Sequence, residues 1–443
     1  MVKPRKLRPW FLVVALLCAC ASREPPRLEP LVRLEPKTPV LIVPGLTGSK
    51  LRDPDSGKIV WGRAARIFFP RDGGYAVALP LDPEERDRQG LEAFDVVRRL
   101  SLGVVTIDIY GGLIDLLEAN GYRLGDLENP RAEDTLFVFP YDWRYNNVSA
   151  AAELTEKMER LRTVRGEPEL RLHVICQSNA ARIARYMMKY GGASLDDAEA
   201  GRAPPPPGIH VEKLLLIGTA NGGATNGFRN MLEGRSYVPL IGRKFTQEVT
   251  FTLEAVFETL PAYREDLFFD ENGETLDIDL FDADNWERYG WSIYARPVAK
   301  RLLKRDRADL FGTPGQRRAH LERNLERARR LHALLVRDVP DFPETRYYML
   351  QNAYRETPDR MMLTRDGGEW KTLFLPHRRV KKPPLFSLAS APGDGHATVL
   401  SQHWLSPQER DALAAEPLYI PVYHRTIIHH PTTHRAILDY LLE

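Results

Sequence analysis

The sequence has few cysteines, little charge imbalance and no internal repeat, and each shortage excludes something. Cys18 and Cys20 lie in the first twenty residues, so Cys176 is alone in the body. A chain shortened at its N-terminus therefore has no internal disulfide and depends on its apolar core. Sixty-two basic residues face sixty acidic ones, a net charge of +2 that leaves no electrostatic footprint for nucleic acid. The N-terminal apolar run "WFLVVALLCAC" is too short to cross a bilayer. Glycine is missing at two telling places: Cys176 and Ala180 flank Ser178, where a sharp strand-to-helix turn around a serine usually has glycines.

What is present begins with a leader. Lys3, Arg5, Lys6 and Arg8 precede the short apolar run, the layout of a secretory signal. The run closes on Leu17-Cys18-Ala19-Cys20, which resembles the lipobox of bacterial lipoproteins. The resemblance implies that Cys20 is lipidated and holds the protein to a membrane surface. The protein would then face the periplasm in a bacterial envelope, at the outer membrane. Ordinary cleavage nearby is the alternative. On this reading residues 1–20 are signal and the Pro- and Arg-rich stretch 21–37 is a tether.

The remainder alternates strand and helix. "TPVLIVPGLTG", "DTLFVFPYDW", "LRLHVIC" and "VEKLLLIGTA" are apolar runs bounded by turn residues, and helical spacings lie between them. That alternation predicts an α/β fold with a mainly parallel sheet and helices on both faces. From residue 225 to 340 the rhythm is lost, and the long helix "GQRRAHLERNLERARRLHALLVRD" presents Leu321, Leu325, Ala328, Leu331 and Leu335 on one stripe. Strand signals return in "TRYYMLQNAY" and "PLYIPVYH". The expected organisation is thus a core of 38–224 and 341–443 interrupted by a helical cap over 225–340. Trp286, Trp291, Phe251 and Phe257 either line an acyl channel beneath that cap or form the cap's own core.

Ser178 falls where the third strand turns into a helix. A serine hydroxyl there needs a base to take its proton and a carboxylate to orient the base. Asp394 in the Gly-flanked turn "PGDGHATV" and His424 after "PLYIPVY" follow in the order Ser, Asp, His. The backbone N–H of Asn179 is one candidate oxyanion donor, and the turn "PGLTG" after the first strand offers the other, from Thr47 or, failing it, Leu46.

Taken together, these segments resemble the lecithin:cholesterol acyltransferase family, which includes lysosomal phospholipase and phospholipid:diacylglycerol acyltransferase relatives. "PVLIVPGLTGSKL" is similar to that family's opening strand and oxyanion turn, "FPYDWR" to its Tyr-Asp-Trp-Arg motif, and "SNAARIARYMM" to its elbow. "LIGTANGGATNGF", "PGDGHATV" and "HRTIIHHPTTHRAIL" resemble its later segments, in order. The resemblance implies an α/β-hydrolase fold and a serine-dependent acyl hydrolase or O-acyltransferase acting on lipid esters without a cofactor. Three departures stand out. Both elbow glycines are replaced, Gln177 stands for the usual histidine, and His396 and Ala397 intervene before Thr398 in the acid turn. The altered elbow and acid turn support one rival reading, a catalytically silent protein that binds lipid or a protein partner. A third reading is an esterase for small soluble esters, which would show no rate jump once substrate forms an interface. Among the remaining motifs, His424, His429, His430 and His434 raise the question of a metal. Pro431 places His430 ahead of the last helix, and no acidic or cysteine partner is near. Asp142 and Arg144 either meet substrate or form a buried ion pair. Asn147-Val148-Ser149 is a glycosylation sequon.

Overall fold

The computed structural model describes residues 37–70, 72–88, 90–102, 105–235, 245–305, 307–377, 380 and 382–443. The leader, Cys20 and the tether up to residue 36 lie outside the described residues.

Six strands form the central sheet: β1 (Val40–Val43), β2 (Leu136–Val138), β3 (Leu170–Gln177), β4 (Ile209–Ile217), β5 (Arg346–Gln351) and β6 (Leu418–Tyr419). Their spatial order is β2-β1-β3-β4-β5-β6, and every pairing is parallel. β1, β2 and the C-terminal halves of β3 and β4 read as apolar runs because both faces of the sheet are covered. Alternation along the strand divides them between two cores. Leu41, Val43, Val174 and Leu214 join one, and Val40, Ile42, Ile175 and Leu215 join the other.

Helices α1 (Gly111–Ala119), α2 (Asn147–Arg165), α3 (Ala180–Tyr190), α4 (Thr225–Glu233), α5 (Pro314–Leu335) and α6 (Pro431–Leu442) are the principal ones for the site. Leu113, Ile114 and Leu117 of α1 pack with Ile437 and Leu441 of α6 on one face. Leu154 and Met158 of α2 and Ile183 and Met187 of α3 pack on the other. Asn146 caps α2 by accepting the Ser149 N–H at 2.9 Å, which satisfies a backbone donor the helix cannot. Helix α3 is buried at all eleven positions, cations included. Arg185 meets the Glu409 carboxylate at 2.8 and 2.6 Å. Lys189 donates to the carbonyls of Leu335 and Arg337, so the last turn of α5 is pinned to α3.

The stretch expected as a helical cap holds strand as well. Phe268–Phe269 and Thr275–Leu276 share a four-stranded sheet with Met361–Asp366 and Glu369–Leu373, which come after β5. The two-residue strands were invisible to periodicity because their partner lies about ninety positions away. The cap aromatics stack on each other. Phe228 lies 4.9 Å from Trp291 and 5.5 Å from Trp286, ring centre to ring centre, and Phe251 lies 5.8 Å from Phe257. All four rings named as channel candidates are at most 2% exposed, and of the two readings the packing supports a core of the cap itself.

Candidate active site

Strand order decides where a ligand can sit. The chain moves from β1 to β2 on one side and to β3 on the other, so the direction of winding reverses between β1 and β3. Crevices form beyond the carboxyl ends of strands at such a reversal. Val43 and Cys176 are in register there, which brings the turn after β1 against the turn after β3.

Ser178 stands in that second turn with φ +58°, a left-handed backbone that costs a residue with a Cβ about 1–3 kcal/mol. Its N–H is held by the Ile217 carbonyl at 3.1 Å. Cys176 and Ala180 are both fully buried, so the missing glycines are replaced by residues small enough for strand and helix to close. Ser178 Oγ lies 2.9 Å from Nε2 of His424, 246 positions away in the sequence. His424 Nδ1 lies 2.6 Å from Oδ2 of Asp394. The His424 N–H also donates to the Asp394 carbonyl at 3.0 Å, which locks the two loops together.

The inserted residues of the acid turn serve the carboxylate. Oδ1 of Asp394 accepts the N–H groups of His396 at 2.8 Å and Ala397 at 2.7 Å. Burial opposes ionisation of Asp394, but the facing His424 and these N–H groups outweigh it and hold the carboxyl below its ordinary range. Asn226 of α4 donates from Nδ2 to the Gly395 carbonyl at 3.1 Å, so α4 braces the same turn. The His396 ring lies over His424 with centroids 4.5 Å apart, and burial foremost keeps it well below the ordinary histidine value.

The turn after β1 is closed by the Gly48 N–H on the Gly45 carbonyl at 2.8 Å, and Thr47 sits in it at φ +70°. Gly45 is required by close approach. A Cβ there would lie 2.3 Å from Oε1 of Gln177 and 3.1 Å from Cβ of Ser178. Asn179 opens the helix after the elbow, with its side chain in reciprocal hydrogen bonds to Asn147 at 2.7 and 3.2 Å. Asn147 is fully buried, so its sequon is not a surface site.

Three roles escaped sequence reasoning because they depend on side chains meeting across the fold. Tyr141 of "FPYDWR" donates to the Pro44 carbonyl at 3.1 Å, and Trp143 donates to the Ser49 carbonyl at 3.2 Å. Asp142 and Arg144 form a partly buried ion pair at 2.7 Å, with the guanidinium buried, in line with the ion-pair alternative for them. Tyr110 and Gln177 meet at 2.9 Å, where the sequence showed only that Gln177 stands for the usual histidine. His430 caps α6, and His434 is buried within it. Among the described residues no group of three or more His, Cys, Asp or Glu side chains is arranged to hold a metal. No described helix is long and apolar enough to cross a membrane. A polar cleft of about 460 Å³ lies at the opposite end of the sheet, beside Lys37, His173, Lys213 and Arg346, and takes no part in this arrangement.

No known protein-family profile matches the chain, and no curated protein sequence matches it. Among solved structures, a chain of the Tle4–Tli4 complex superposes with a TM-score of 0.53 at 11% identity, over 92% of this chain and 99% of its own. The chain has the α/β-hydrolase fold. The mature lipase BlEst2 of Bacillus licheniformis aligns over 93% of this chain and 96% of its own at 12% identity, with a TM-score of 0.29 that carries no argument. At these identities likeness speaks for the fold alone. In this α/β-hydrolase fold the three side chains and the two turns meet at the carboxyl edge of the sheet.

Proposed function

We propose that the protein is a serine acyl hydrolase or acyltransferase acting on lipid esters. The observation that carries this reading is the continuous line from Ser178 through His424 to Asp394, at 2.9 and 2.6 Å, on an elbow whose backbone is strained at the serine. Ser178 Oγ attacks the ester carbonyl while His424 Nε2 takes its proton. Asp394 keeps the imidazole in the tautomer that can accept, and stabilises the imidazolium. The N–H groups of Asn179 and Thr47 receive the oxyanion, a contribution of about 3–4 kcal/mol per donor in such sites. His424 then returns the proton to the departing alcohol, leaving an acyl group on Ser178. Water or a second alcohol, deprotonated in turn by His424, removes it. The chemistry needs no cofactor.

The resemblance of "PVLIVPGLTG", "FPYDWR" and "PGDGHATV" to segments of the lecithin:cholesterol acyltransferase family is what favours a lipid ester as substrate. A lipidated Cys20 would keep the enzyme beside such substrates, on the periplasmic side of an outer membrane. A fluorophosphonate probe tests the reading directly. We expect covalent labelling of the wild type and none of Ser178→Ala. An unlabelled wild type of native fold would instead favour the silent, lipid- or protein-binding alternative.

A further inference from the structure

We propose that Tyr110 and Gln177 are positioning residues that fix the oxyanion turn against the nucleophile elbow. The inference rests on the acyl-transfer reading and adds two residues to it. Tyr110 immediately precedes α1, with its N–H donating to the Arg98 carbonyl at 3.2 Å and its ring among Val40, Ile42 and Ile175 of β1 and β3. It is 2% exposed, and its hydroxyl lies where the two turns meet. There the hydroxyl accepts the Gly45 N–H at 2.8 Å and donates to Oε1 of Gln177 at 2.9 Å. One oxygen thereby links the turn carrying Thr47 to the residue immediately before Ser178. Burial pushes the Tyr110 phenol far up, so it remains a neutral donor and acceptor.

The turn needs such a fastening. Thr47 occupies a left-handed conformation that glycine would adopt without strain, so neighbours must hold it there. Its carbonyl accepts the Trp61 indole N–H at 2.9 Å on one side, and Tyr110 holds Gly45 on the other. Gly45 also packs closely on the elbow: a Cβ there would lie 3.1 Å from both the Gln177 carbonyl oxygen and Cβ of Ser178, so the two turns are in tight contact. Tyr141 supplies a looser second tie. It donates to the Pro44 carbonyl at 3.1 Å and receives the Asn179 amide at 3.5 Å. The engaged N–H of Gly45 is also removed from the set of oxyanion donors, leaving that role to residues further along the turn.

Oxyanion donors act through placement, and an error of about 1 Å costs on the order of 10²-fold in rate. The test uses the full chain and compares Tyr110→Phe, Gln177→Met and Gln177→His with wild type. Three quantities are read: the second-order rate of fluorophosphonate labelling, kcat and KM on a short-chain p-nitrophenyl ester, and Tm. Tyr110→Phe should slow labelling and kcat about 10- to 100-fold with KM within about twofold. Gln177→Met should show a smaller loss of the same kind. Gln177→His, which keeps an acceptor for the phenol, should recover most of it. Ile114→Ala, a packing change in the same core, controls for loss of stability. If Tyr110→Phe labels at the wild-type rate, or is slowed no more than Ile114→Ala at equal Tm loss, the inference is overturned. If the wild type is not labelled, the acyl-transfer reading fails and the inference fails with it.

Discussion

Asp394 faces His424 with one carboxylate oxygen, 2.6 Å from Nδ1, and gives its other oxygen to the N–H groups of His396 and Ala397. The two residues that interrupt the acid turn are therefore its internal hydrogen-bond donors. The carboxylate is ionised, oriented and fully buried at once, the state required to hold a histidine in one tautomer.

From that geometry, Ser178→Ala and His424→Ala should each lower turnover of a p-nitrophenyl acyl ester by at least ~10³-fold, because such groups act as a unit. Asp394→Asn should also cost heavily, through the wrong imidazole tautomer. His434→Ala should leave turnover within a few-fold, since that ring is buried in α6. Steady-state kinetics on the four variants check this, and a dead His434→Ala beside an active His424→Ala would reverse the assignment of the base.

Glu258 provides a pH signature. It is 1% exposed, one oxygen accepts the Asn147 N–H at 2.7 Å and the other has no partner. Burial, opposed in part by Arg327 and the Asn147 N–H, raises its carboxyl from 4.5 to about 7. Between these values the native state keeps a proton that the unfolded chain has released, so this group's stabilisation is present below about 4.5 and is lost as pH rises through about 7. Glu258→Gln keeps the acceptor and removes the titration. The Tm of the wild type should therefore fall relative to Glu258→Gln by a few degrees between pH 5 and pH 8. Parallel Tm curves for the two proteins would show that Glu258 does not titrate in this range.

The cap aromatics should behave as core. Trp291 stacks on Phe268 at 5.2 Å and meets Phe228 edge-on at 4.9 Å. Trp291→Ala should cost about 3–5 kcal/mol and lower Tm, with an unchanged ratio of long- to short-chain ester turnover. A changed ratio at an unchanged Tm would return this ring to the acyl channel.

Cys20 lies outside the described residues, and its role is tested in cells. If it is lipidated, the wild type should partition with the membrane fraction and Cys20→Ser should remain soluble, because two or more acyl chains anchor stably where one is marginal. Soluble, unacylated wild-type protein would remove the anchor from the proposal.

The chain order of Ser178, Asp394 and His424 and the runs that form β1, β3 and β4 were legible in the sequence. A strand buried on both faces is a contiguous apolar stretch, and a serine between strand and helix is a local pattern. The Leu321–Leu335 stripe of α5 was legible for the same reason, since a helix face repeats every three or four residues. Gln177 took its meaning only from a tyrosine 67 positions earlier, and Tyr141 only from a carbonyl 97 positions earlier. The contribution of His396 and Ala397 to Asp394 depended on how one loop folded back on its own carboxylate. Local sequence thus determined the elements and the order of the chemistry. Tertiary structure decided which side chains hold that chemistry in place, because hydrogen bonds between distant loops follow from how the whole chain packs and have no period along it.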